Sequence, residues 1–144
     1  MERNHIYGVP QNAIYAARLF ATSIADNYIE GFGESDKPGT WHGIFASVQG
    51  EAASTIAHNR IFNFQQETET KSSYRYVAIT VNYGTGVAVV TGNAIRGKGT
   101  PRGIGLHFSA DGDRKLMLTS TGNAVNDVAT ERYVDANVTL KAGL

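Results

Sequence analysis

A chain of 144 residues is long enough to bury a core of its own, so neither disulfides nor a structural metal is required to hold it together. Thirteen basic residues balance thirteen acidic ones without any long block of one sign, which argues against a nucleic-acid groove or a patch for anionic membranes. Cysteine is absent, which removes a disulfide framework and thiolate metal sites, and no apolar run reaches the roughly 20 residues that span a bilayer.

The N-terminal "MERNHIYGVPQ" has no apolar core of the kind a signal peptide needs. Residues 11–29, "QNAIYAARLFATSIADNYI", admit two readings. Ile14, Ala17 and Leu19 are compatible with a short helix, whereas the segments that follow make a strand the consistent choice. A short apolar stretch, "ATSIAD", then leads into Asn27, and another, "YIEGF", leaves it. After the polar loop "GESDKPGT" comes "HGIFASV", then the tight turn "QGEA". The order now repeats: "ASTIAH", Asn59, "RIFNF", the polar loop "QQETETKSSY", "RYVAITVN" and the turn "NYGTG". It repeats again with "GVAVVTG", Asn93, "AIRGK", "GTPR", "GIGLHFSA" and "ADGDR". The last round is "KLMLTSTG", Asn123 and "AVNDV".

The runs are short, β-branched or aromatic, and mostly alternating, as strands are. Alternation points Val77, Ile79 and Val81 inward, and likewise Ile104, Leu106 and Phe108. An asparagine two residues before an aliphatic marks each round: Asn4, Asn27, Asn59, Asn93 and Asn123, at spacings of 23, 32, 34 and 30 residues. Such variable spacing suits similar turns joined by elastic loops. Three strands per round cannot bury one inner face, but stacked rounds can, with parallel pairing between like strands.

These asparagines, in phase with three-strand coils over nearly the whole chain, resemble the right-handed parallel β-helix family that includes pectate lyases and phage tailspikes. The resemblance implies an all-β, single-domain solenoid over residues 1–144 with four to five coils. It also implies an asparagine ladder at one turn, where asparagine tolerates the left-handed backbone and stacked amides hydrogen-bond to one another. A strand-rich coil begins almost at once, so the chain reads as a fragment, or as a subunit whose ends partners cover.

By the same resemblance the closest functional match is a tailspike segment in the virion tail, a homotrimer that binds bacterial surface polysaccharide and whose catalytic status is open. A trimeric shaft of purely structural role and a free-standing polysaccharide lyase or hydrolase are the alternatives. Hydrolysis needs two carboxyl groups about 5 to 5.5 Å or about 6.5 to 9.5 Å apart, and Glu51, Asp111 and Asp113 share one column of turns. Lyase chemistry needs a base with cations nearby; His42, His107, Arg75, Arg102 and Lys98 stand near the mid-round strands, with no spacing that fixes a pair. Trp41 with His42, in "GTWHG", is placed to stack on a sugar or to pack a loop. His58 reads as a solvent-facing turn residue. The histidines are scattered and "SADGD" lacks the EF-hand spacing, so no metal or cofactor is expected.

Overall fold

The computed structural model describes residues 1–64 and 72–142. The polar loop "QQETETKSSY", which could touch a receptor or simply be solvated, lies mainly outside the described residues. Among those described there is no helix. The first coil contains β1 (His5–Tyr7), β2 (Ile14–Leu19) and β3 (Ser23–Ala25). The second contains β4 (Tyr28–Glu30), β5 (Thr40–Val48) and β6 (Ser54–Ala57), and the third β7 (Arg60–Phe62), β8 (Ser73–Thr80) and β9 (Thr85–Thr91). In the fourth, β10 (Ala94–Phe108) runs through two positions before β11 (Lys115–Thr121). The fifth consists of β12 (Ala124–Val134) and β13 (Val138–Ala142). The helical alternative for residues 11–29 is therefore replaced by β2 and β3.

Every strand pairing is parallel, between equivalent segments of successive coils. One column stacks β1, β4, β7 and the starts of β10 and β12. A second stacks β2, β5, β8 and the ends of β10 and β12. The third is β3, β6, β9, β11 and β13. The molecule is a parallel β-helix of about four turns, and its core runs down the middle.

The recurring asparagine motif is now accounted for position by position. Asn4 Nδ2 donates to Asn27 Oδ1 at 2.9 Å, Asn27 to Asn59 at 3.0 Å, Asn59 to Asn93 at 3.0 Å and Asn93 to Asn123 at 2.9 Å. Each acceptor oxygen also takes the backbone N–H of the preceding asparagine, at 3.0–3.1 Å. Two residues on, Ile6, Ile29, Ile61, Ile95 and Val125 lie in register and point into the core.

One expectation is corrected. The left-handed conformation falls on the residue before each asparagine: Arg3, Asp26 and His58 at φ 56°, Gly92 at 64° and Gly122 at 65°. Asparagine is used here for its amide. The corner itself is turned one residue earlier, where side chain matters less because it faces solvent. His58 is exposed, as expected, and the imidazole stands over Gly92, where an added Cβ would lie 2.5 Å from Nδ1.

Val77, Ile79 and Val81 are fully buried, as are Phe108 and, nearly, Leu106. Ile104 departs from its expected place: it is half-buried and outside the core. The cause is a doublet of inward-facing residues in the second, third and fourth coils of the second column. Tyr76 and Val77 are both core residues. In the coil before, Gly43 precedes buried Ile44, and a Cβ on Gly43 would lie 2.7 Å from Tyr76 O and 3.0 Å from Ile61. In the coil after, Gly105 precedes Leu106, and its Cβ would strike Val125. Simple alternation thus fails by one residue, and the position of Ile104 turns outward.

Candidate functional site

The same doublet builds the outer face of the second column. His42, Arg75 and Ile104 occupy one outward row. Three residues further along each strand comes a second row: Tyr15, Phe45, Ala78, His107 and Tyr133, one from each coil and all in register. With strands about 4.8 Å apart, this row extends roughly 19 Å along the solenoid axis. Tyr15 stacks on Phe45 with centroids 4.5 Å apart and planes within 11°, and His107 stacks on Tyr133 at 4.9 Å and 16°. Ala78, the smallest member, separates the two ring pairs. Tyr15 and Tyr133 remain 60 % and 45 % exposed.

Arg75 and His42 flank this row. His42 packs edge-on against Phe45 with centroids 5.1 Å apart. His42 is held at a pKa of about 4, first by burial, then by the charges of Arg75 and His107. His107 is likewise held at about 4 by burial and Arg75, with Asp135 opposing. Both imidazoles are therefore neutral near pH 7 and Arg75 is the local cation. Burial lowers its pKa too, opposed by Tyr133. Beyond the rings, Ser109 Oγ donates to Thr80 Oγ1 at 3.1 Å and Ser47 Oγ to Asn82 Oδ1 at 2.9 Å. Tyr133 OH meets Asp135 Oδ1 at 3.4 Å.

Of the residues singled out from sequence, His42, Arg75 and His107 come together on this face. Arg102 is exposed one residue before Gly103, the Cα partner of Tyr74, at the edge of the same column. Trp41 is half-buried and packed against the core; Cβ atoms added to Gly33 or Gly39 would lie within 2.7 Å of its ring. It therefore holds the 31–39 loop against β5. Tyr15, Phe45 and Tyr133 are not legible in the sequence as a continuous row.

The three carboxylates are placed differently. Glu51, Asp111 and Asp113 are all exposed, and no side-chain hydrogen bond or ion pair joins them to another described residue. Asp111 N–H still bonds to Val81 O at the end of the second column, whereas Gly50 N–H, just before Glu51, already bonds to Thr85 O at the start of the third. Glu51 and Asp111 therefore sit at different points round the turn. No group of three or more His, Cys, Asp or Glu side chains that could hold a metal occurs among the described residues. Nor is there, among the described residues, a helix long and apolar enough to cross a membrane.

The first column carries its own stack: His5 on Tyr28 with centroids 4.7 Å apart, and the Arg60 guanidinium carbon over the Tyr28 ring, 5.1 Å from its centroid. A groove of about 290 Å³ continues this row over Ala94 and Ala124, walled by Phe62 and Arg96. Comparison with protein-family models, curated proteins and solved structures finds no match to this chain.

Proposed function

We propose that this solenoid is a tailspike-type segment of a phage tail that binds bacterial surface polysaccharide along the outer face of its second column. One observation carries the reading: the row Tyr15–Phe45–Ala78–His107–Tyr133 runs parallel to the axis through all five coils, flanked by Arg75 and His42. An extended, repetitive polymer is what a periodic row of rings matches. Each ring pair offers an apolar platform to a sugar face, and the neighbouring hydroxyl, imidazole and guanidinium groups offer hydrogen bonds. The stacking role expected of Trp41 passes in this reading to Tyr15 and Tyr133.

A cation next to an imidazole is what lyase chemistry needs, but a pKa of about 4 makes His42 a weak base at neutral pH, so the pair supports binding better than proton abstraction. Glu51, Asp111 and Asp113 are solvated, and Glu51 and Asp111 sit at different points round the turn, which gives little support to hydrolysis. A second reading has its own observation. Tyr15, 60 % exposed and stacked on Phe45, is apolar surface that neighbouring subunits of a homotrimeric shaft would cover.

The test is incubation with a panel of capsular and O-antigen polysaccharides, scored for binding, new reducing ends and unsaturated-uronate absorbance, with mass from light scattering. Binding by a trimer is expected. A monomer that binds no polysaccharide would overturn the proposal, and a trimer that binds none would favour the shaft.

A further inference from the structure

The hydrogen bonds of His42 fix its tautomer. Its backbone N–H donates to Asn12 Oδ1 at 2.9 Å. A backbone N–H needs an acceptor, so the Asn12 amide must turn its oxygen, not its nitrogen, toward His42. The imidazole Nδ1 lies 2.9 Å from that same oxygen. Facing an atom that only accepts, Nδ1 carries the proton, and the neutral ring keeps its lone pair on Nε2. His42 is only 8 % exposed, and Nε2 is buried with no partner among the described residues.

Arg75 is the Cα partner of His42 one rung away, and its Nε–H is also buried without a partner. An orphan acceptor and an orphan donor thus sit on side chains in register one rung apart. Buried polar groups are rarely left unpaired, and when they are, a ligand or water commonly completes them. The matching group is one that both donates and accepts through one oxygen.

We infer that His42 Nε2 and Arg75 Nε–H form a subsite for one hydroxyl of a neutral sugar residue, with Asn12 as the positioning residue that sets the tautomer. The ligand O–H donates to Nε2, and its oxygen accepts from Nε–H, as the half-buried Arg75 side chain swings outward to admit it. A carboxylate satisfies only Arg75: it brings no proton for Nε2 and sets negative charge against that lone pair. The sugar assignment rests on the polysaccharide reading above; the tautomer does not.

Nitrogen-15 NMR of the intact chain at pH 7 tests both parts. Nδ1 of His42 is expected as the protonated nitrogen and Nε2 as the bare one. Asn12→Ala should mix the tautomers and Asn12→Asp, which keeps an acceptor, should restore Nδ1–H, while circular dichroism confirms folding. A neutral mannotetraose should shift the Nε2 resonance, with affinity at least fivefold weaker in Arg75→Lys, and a tetragalacturonate should leave it in place. Finding His42 protonated on Nε2 overturns the subsite. The expected tautomer with Nε2 unmoved by either sugar identifies a bound water only and overturns the sugar assignment, and tighter binding of the galacturonate overturns the neutral class. Loss of the general polysaccharide reading is recognised separately, as absence of binding anywhere on the chain.

Discussion

Asn59 Nδ2 donates to Asn93 Oδ1 at 3.0 Å and to Ile24 O at 3.0 Å, so one amide ties together three successive coils. Its own Oδ1 accepts from the backbone and side chain of Asn27 at 3.1 and 3.0 Å. All four hydrogen-bonding positions of a fully buried amide are thereby filled.

Asn59→Ala should therefore destabilise the chain by about 3 kcal/mol or more, because it orphans several buried groups at once. Urea unfolding followed by circular dichroism measures this. Asn4→Ala, at the exposed end of the same row, should cost roughly 1 kcal/mol or less. Equal losses at the two sites would show that burial of the amide row is not what holds the coils.

His58 and Gly92 occupy the same left-handed corner position in neighbouring coils. Gly92→Ala adds a Cβ both at positive φ and 2.5 Å from His58 Nδ1, so a loss of about 1–2 kcal/mol is expected. His58→Gly removes a strained non-glycine residue and frees that space. Stability should hold or rise by up to about 1 kcal/mol. The double variant should lose less than the sum of the separate effects, which a double-mutant cycle reads directly. Strict additivity would contradict contact between the two positions.

The neutral histidines make stability pH-dependent. In the unfolded chain both titrate near 6.5, whereas in the folded chain both titrate at about 4. Between those values the unfolded state binds more protons, so stability is greatest above about pH 6.5 and falls as pH drops toward 4. Discounted for solvent on this face, the loss is on the order of 2 kcal/mol. Unfolding midpoints at a series of pH values should show this slope, and His42→Gln should flatten it. A midpoint that rises on acidification would contradict the burial of these rings.

Trp41 and Tyr133 separate packing from recognition. Trp41→Ala should lower the melting temperature by several degrees, because it empties the space under the 31–39 loop. Tyr133→Ala, at a ring 45 % exposed, should lower the melting temperature less than Trp41→Ala does. It should nonetheless weaken polysaccharide binding by roughly tenfold, about 1.4 kcal/mol. The reverse pattern would return the sugar-stacking role to Trp41.

Much of the architecture is readable from the chain because its cause is local and repeated. Asn27, Asn59, Asn93 and Asn123 mark the corners, each followed by the isoleucine or valine that fills the core two residues on. The shift of the left-handed residue to Asp26 and His58 is not readable, since His58 in isolation looks like any polar turn residue. The outer face is hidden for a related reason. Strict alternation places Ile104 with Leu106, and only the inward pairs Tyr76–Val77 and Gly105–Leu106 break the phase. That break sets His42, Arg75 and His107 on a common face although 33 and 32 residues separate them in sequence. Spacing within one strand carries no trace of a contact made across three coils.

The most direct measurement is titration of the intact chain with the capsular and O-antigen panel, comparing the native protein with Tyr15→Ala/Tyr133→Ala and with Arg75→Gln. The account predicts that at least one polysaccharide binds. It also predicts that both variants, still folded, bind it at least tenfold more weakly, while Asp113→Asn, on the exposed turn between β10 and β11, binds as the native chain does. Binding that survives unchanged in both face variants would contradict the assignment of the second column as the recognition surface.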